Sequence, residues 1–402
     1  MSTERPEVTD WATDWDHLTD DYARHAPQIL DDLRERCPVA HTERFNGAWL
    51  PTRYDDVAAI AYDTERFSSR ATVVTDQSKF GLVLPPITLD PPLHGPIRRA
   101  LLPPFNPKAT AALEPKIRAV CERLIDAILA RTDGHADAAI DYAQHIPVEL
   151  IAHLLGLPPD DGDQFRTWVY ELLELGPGDA DVSRRASREI FAYFDAQLAD
   201  RATKSGDDLI SWVCQAELTE PDGTVRLLTQ RERLGSLHLI LVAGIDTTWS
   251  AIGSSLWHLA HHKEDRLRLV AEPELIPIAV EEFLRMYSPV TMGRLIAADA
   301  QIGGCPVTAG EHVLLSFPAA NRDPSHFPDA DRVIIDRSEN RHIAFGLGIH
   351  RCLGSNVARL EMKVALECWL ARIPEFSLAD PAAVEWSHGQ VRGARLVPIR
   401  IG

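Results

Sequence analysis

The chain has 402 residues, 45% of them hydrophobic and 25% charged, with a formal net charge of −18. This composition supplies a sizeable core, while so acidic a surface repels phosphate backbones and argues against nucleic acid as a partner. The polar start MSTERPEVTDWATDWDHLTDD lacks the order of a secretory signal, and no apolar run approaches the length of a membrane span. The six singly placed cysteines read as reduced thiols, so the expectation is a soluble, cytoplasmic protein with no membrane partner.

In chain order, GAWLPTR (47–53) predicts a short strand and YDDVAAIAYD the helix after it. FGLVLPPITLDPPLHGP (80–96) carries five prolines and predicts loop, since proline donates no backbone hydrogen bond. From about 107 to 217 apolar residues recur at three- and four-residue spacing, which predicts helices, with GPGD (176–179) separating two of them. A long helix follows over roughly 229–262 and a shorter one over roughly 273–287. Short strands and turns occupy 289–350, a last helix runs from near Cys352 to about 371, and the tail GARLVPIRI predicts a strand. No Gly/Ser-rich linker divides the chain. It is therefore read as one mainly α unit with a minor β portion, residues 1–402, whose first twenty or so residues are peripheral.

The stretch FGLGIHRCLG, from Phe345 to Gly354, surrounds one cysteine with three glycines. Gly346, Gly348 and Gly354 permit positive φ and close approach of the backbone to a flat object. Cys352, at the start of the last helix, meets unpaired N–H groups and the positive dipole end, which favour a thiolate. A thiolate in a water-poor pocket needs a cation, and a metal is the natural one. Zinc fits poorly, because no other cysteine lies near in sequence. His350 and Cys352 sit too close together for a typical catalytic dyad. GLGIHR lacks both the third glycine and the βαβ setting of a dinucleotide site.

This stretch resembles the haem-binding signature of the cytochrome P-450 superfamily, F-G-x-G-x-[HR]-x-C-x-G, with Phe345, Gly346, Gly348, His350, Cys352 and Gly354 at every fixed position. The resemblance implies Cys352 as the axial thiolate ligand of the iron of haem b, and a P-450 fold whose long central I-helix and L-helix sandwich the haem. Within LVAGIDTTWS, the residues Ala243, Gly244, Asp246, Thr247 and Thr248 match the family's I-helix motif. They imply room for O2 as co-substrate, Thr247 as hydrogen-bond partner of the activated oxygen and Asp246 as the acid that passes protons inward. Read without the resemblance, Thr247 would bond back to the Ala243 carbonyl and Gly244 would serve close helix packing.

EEFLR places Glu282 and Arg285 on one helix face and matches the family's E-x-x-R motif, which implies a buried structural pair joined by Arg332 from FPDADR. DPPLHGPIRR resembles the family's propionate-binding stretch and implies His94 and Arg98, with Arg294 and His350, as haem propionate partners. By the same resemblance Leu239, Ala243, Val290, Thr291, Met292 and the loop at roughly 68–89 face a hydrophobic small-molecule substrate. No flavin or iron–sulfur segment is present, so electrons are expected from a separate ferredoxin-type donor, attracted to Arg99, Arg351 and Arg359 on the thiolate side. The implied activity is a haem-thiolate monooxygenase. A peroxide-driven peroxygenase and a non-catalytic haem sensor or carrier are the alternatives, and the Asp246–Thr247 pair argues against both, because peroxygenase relatives usually lack it and a sensor needs no proton delivery.

Overall fold

In the computed structural model, which describes residues 5–75, 82–204 and 206–402, the longest apolar stretch of the sequence becomes the helix Gln230–His261. A reciprocal cap fixes its start. The Thr229 hydroxyl accepts from the Glu232 N–H, and the Glu232 carboxylate accepts from the Thr229 N–H. By length and composition this helix is apolar enough to cross a bilayer, but 67% of its apolar window is buried inside the protein. Its hydrophobicity is that of a core helix.

Helices His145–Leu155, Ala180–Thr203 and Ser355–Arg372 pack on this central helix, and Glu114–Leu129 packs on Ser355–Arg372. The crossing with His145–Leu155 depends on Gly244, where an added Cβ would stand 2.5 Å from Ile151 Cδ1. Tyr142, fully buried, donates its hydroxyl to the Ala365 carbonyl at 2.8 Å and ties the layers together. The segments Ala139–Ala143 and Glu171–Leu175 are wound as π-helix.

The sheet portion joins the beginning of the chain to its last third. Its main sheet has the order Val39–Thr42, Ala48–Pro51, His312–Ser316, Thr291–Ile296, Phe67–Ser68. Ala48–Pro51 and His312–Ser316 run parallel, and the other pairs are antiparallel. The fold is mainly α with a minor β portion, as the sequence predicts.

Several boundaries differ from expectation. A strand, His135–Asp137, interrupts the helical region because it pairs with Pro398–Ile401. A helix over Lys263–Ala271 was not foreseen; it buries only Arg266 and Leu269 and so carries a faint apolar stripe. The last helix begins at Ser355, three residues beyond Cys352. The tail forms two strands, Ala394–Leu396 and Pro398–Ile401, that pair in different sheets. The start of the chain is not all peripheral. Trp15 and Asp16 are fully buried, and Asp16 takes Arg44 at 2.8 Å.

Candidate active site

The loop before helix Ser355–Arg372 is built by backbone bonds. The Gly346 N–H donates to the Ile343 carbonyl at 2.9 Å, the Arg351 N–H to Gly348 at 3.2 Å, and the Cys352 N–H to Phe345 at 2.8 Å. Gly346 (φ +69°) and Gly348 (φ +65°) hold left-handed conformations that side chains disfavour. At Gly348 there is a second reason, since a Cβ would stand 2.9 Å from the Ala61 carbonyl. Gly354 has φ −86°, so its role is not conformational; a Cβ there would point into open space.

That space is a cavity of about 250 Å³. The central helix contributes Leu239, Ala243, Gly244 and Thr247 to its wall, the strand region Val290, Met292 and Arg294, and the cysteine loop Phe345, Gly346, His350, Cys352 and Gly354. Cys352 is exposed by surface area, yet protein surrounds its thiol and the exposed surface faces the cavity. Burial pushes the thiol up, while the Gly354 N–H and then Arg98, Arg351 and Arg359 pull it down. Desolvation outweighs these pulls together.

His94, Arg98, Arg294 and His350 collect beside this loop. The His94 and His350 rings lie 4.4 Å apart, edge to face, and Ser69 Oγ stands 2.8 Å from His350 Nε2. Burial, then the neighbouring arginine, lowers His94 to about 4; burial, then Arg294, lowers His350 to about 3. Arg294 is buried, lowered to about 10 by desolvation, and among the described residues its side chain donates only to its neighbour, the Gly293 carbonyl. Arg98 donates to the Arg351 carbonyl, and His94 Nε2 is buried with no hydrogen-bond partner among the described residues. Among those residues no carboxylate bonds to this cluster, which requires one. A ligand bearing carboxylates of its own, lying against Gly354 and the Cys352 sulfur, satisfies them. The residues present therefore fit haem b.

On the central helix Thr247 donates to the Ala243 carbonyl at 2.8 Å, the back-bond expected from sequence. Asp246, a residue away, turns from the cavity and is 2% exposed. It meets Arg395 of the tail at 2.8 Å. Burial raises its carboxyl to about 6, against the pull of Arg395. Arg395 was missed from sequence, since its partner lies 149 residues away. Gly393 explains the reach: a Cβ there would collide with Ser250 Cβ at 2.3 Å, so the tail lies directly on the helix.

Glu282 and Arg285 are both fully buried and joined twice at 2.8 Å. The third member is corrected. Arg332 is exposed and offers only its carbonyl to Arg285, at 2.7 Å, whereas Arg337 is buried and donates to Glu282 at 3.0 Å. Asn340 and the Ile334 N–H complete the carboxylate's bonds.

Thr291 is also corrected. Strand alternation sends Val290 and Met292 to the cavity and Thr291 away from it, to the Gln390 carbonyl. Of the loop at 68–89, Pro86 and Ile87 line the cavity, and residues 76–81 lie outside the described residues. Ile151, Leu154, Ile240, Phe317 and Glu361 also line it and were not foreseen; their helical or strand spacing reads equally well as core. Arg359 is held by Glu281 at 2.6 Å and lies over the Phe345 ring, so it is not a free surface cation.

Comparison with known proteins adds the following. Residues 182–381 match the family model described as Cytochrome P450. The chain is 35% identical over 383 residues to mycinamicin IV hydroxylase/epoxidase of Micromonospora griseorubida, covering 92% of this chain and 94% of that one. It is 36% identical to vitamin D(3) 25-hydroxylase of Pseudonocardia autotrophica, covering 92% of each. The solved structure of the cytochrome P450 PksS of Bacillus subtilis 168 superposes with a TM-score of 0.87 at 31% identity, over 96% of this chain and all of that one.

Proposed function

The chain belongs to the cytochrome P450 family, a haem-dependent monooxygenase in the manner of its hydroxylating relatives, and from that premise we propose which of its residues carry the reaction and what it takes as substrate. Haem b, when bound, activates O2 so that one oxygen atom enters the organic substrate and the other leaves as water. The cavity-facing Cys352 sulfur would hold the haem iron. Because burial disfavours a free thiolate there, the metal is the charge partner the sulfur needs. Arg98, Arg294, His94 and His350 would hold the propionates, which would supply the missing acceptors. The chain is read as one haem domain.

Asp246 and Thr247 deliver protons. Asp246, raised to about 6, holds or releases a proton near neutral pH on the side of the helix facing Arg395. Thr247 lines the cavity and donates its hydroxyl hydrogen to the Ala243 carbonyl; rotation about the Cβ–Oγ1 bond would redirect that hydrogen into the cavity. This arrangement favours delivery of protons over a peroxide-driven or purely ligand-binding role. Ile87, Leu239, Ile240, Val290 and Met292 support a hydrophobic substrate, as the relatives are named for mycinamicin IV and vitamin D(3). The donor is read as a separate ferredoxin, with exposed Arg99 and Arg351 as its contacts and Arg359 no longer among them. Six free cysteines support a reducing, cytoplasmic location.

The single observation that carries this reading is that a cavity-facing thiol, a carboxylate-seeking cluster and the Thr247 hydroxyl line one cavity, with the buried acid Asp246 next to Thr247 on the far side of the same helix. The test uses hemin-loaded protein, a ferredoxin chain and a compound found by its effect on the Soret band. Thr247→Ala and Asp246→Asn are expected to keep the red-shifted carbon monoxide band of the reduced protein while releasing more hydrogen peroxide per electron pair consumed. Unchanged coupling in both variants removes the pair from proton delivery.

A further inference from the structure

Arg395 has three nitrogens facing inward, and each has one partner. Nε donates to Glu174 Oε1 at 2.5 Å, Nη1 to Ser250 Oγ at 2.8 Å, and Nη2 to Asp246. The guanidinium also lies over the Trp249 ring, 4.4 Å from its centre. Its side chain is 11% exposed, that of Asp246 3% and that of Glu174 16%. Two carboxylates thus share one cation in a largely desolvated place, so with both ionised the group carries an unbalanced negative charge. A low-dielectric setting disfavours that charge, and binding one proton removes it. The proton belongs on the more deeply buried carboxyl, Asp246.

We propose that Asp246, Arg395 and Glu174 act as one unit that stores a single proton, in which Arg395 is the positioning residue for Asp246 and Glu174, competing for the same guanidinium, keeps the proton in place. Three elements meet here: the central helix, the tail strand Ala394–Leu396 and the π-wound segment Glu171–Leu175 just before the GPGD turn. The tail brings Arg395, and the π segment brings Glu174. Glu171, on the same segment, is engaged by Arg185 at 2.7 Å instead. Arg395 and Glu174 are the charged groups that act on Asp246 among the described residues, the first lowering its proton affinity and the second raising it. The unit therefore responds to the position of residues 171–175. With Glu174 in place Asp246 binds its proton more tightly; with Glu174 withdrawn, Arg395 serves Asp246 alone and the proton affinity falls.

This inference rests on the reading of Asp246 as the proton-delivering acid, and its test is separate from the test of that reading. The hemin-loaded protein is titrated from pH 4 to 9 by infrared spectroscopy, following the protonated-carboxyl C=O stretch that Asp246→Asn removes. The wild-type band is expected to half-titrate near pH 6. Arg395→Gln is expected to move the midpoint up and Glu174→Gln to move it down, each by about a pH unit, or tenfold in proton affinity. Arg395→Lys restores part of the wild-type position. A merely structural role for these side chains would not produce opposite shifts. Midpoints that coincide, or that move in one direction, overturn the inference. If Arg395→Gln fails to load hemin, Glu174→Gln decides alone: a downward shift supports the unit, and no shift or an upward one overturns it. Unchanged coupling in Asp246→Asn would instead sink the reading of Asp246 as proton donor and leave the titration result standing.

Discussion

Arg294 is a buried cation for which the fold provides little. It is 4% exposed, and among the described residues its side chain donates only to the carbonyl of the residue before it. A guanidinium so placed costs stability until an anion arrives. Replacing it with methionine of similar length is therefore expected to act in opposite directions on two forms of the protein. The haem-free form should gain roughly 1–4 kcal/mol against denaturant, because an unpaired buried charge is gone. The haem-loaded form should lose hemin faster, measured by transfer to an excess of apomyoglobin. Stabilisation of both forms would remove Arg294 from the propionate site. At this scale the sequence was informative where one short stretch carried the chemistry, as in Phe345–Gly354. It was silent where partners lie far apart, as with Asp246, Glu174 and Arg395, because nothing in either local stretch marks a charge as paired.

Among the elements, the buried centre around Glu282 shows how the helix Ile276–Met286 is locked to the turns that follow. The carboxylate accepts from Arg285, Arg337, Asn340 and the Ile334 N–H, while Arg285 also reaches the carbonyls of Asn321, Ala330 and Arg332. The spacing of Glu282 and Arg285 placed them on one face, but could not choose between two arginines five residues apart in a turn. The structure chooses by burial. Arg337→Ala is expected to destabilise by about 3–5 kcal/mol, as a broken buried pair does, and Arg332→Ala by no more than about 0.5 kcal/mol. Urea unfolding of the haem-loaded variants checks both, and equal losses would contradict the assignment. Helices with a broad apolar face were legible, above all Gln230–His261. Lys263–Ala271 was not, because it starts directly after its neighbour and turns almost nothing inward.

For the molecule as a whole, buried histidines dictate behaviour in acid. His17, His94 and His238 are lowered to about 4 and His350 to about 3, in each case chiefly by desolvation. A depressed histidine stays neutral in the fold, while the unfolded chain takes up a proton below about 6.5. Stability from these groups is present above that pH and is lost as pH falls toward 4. Asp246 acts the other way: its raised carboxyl makes the fold the better proton binder between 3.8 and about 6, so its contribution falls as pH rises through that window. Asp56 and Glu361 are raised in the same sense as Asp246, while His145, His153, His262 and His312 are lowered like the other four, so the histidines outnumber the carboxyls. The urea midpoint of the haem-free protein is expected to drop steeply from pH 6.5 to 4.5. With hemin bound, propionates beside His94 and His350 favour their charged forms, and the drop should be shallower. Parallel curves for the two forms would show that these histidines do not meet the propionates.

The central helix separates two tasks around its circumference. Leu239, Ala243 and Thr247 look into the cavity, whereas Asp246 and Ser250 look toward the tail. Remodelling the first stripe to admit a different compound leaves the second stripe's electrostatics alone. This scaffold can thus be re-aimed at new compounds through one wall while the Asp246–Arg395 contact on the other is left intact.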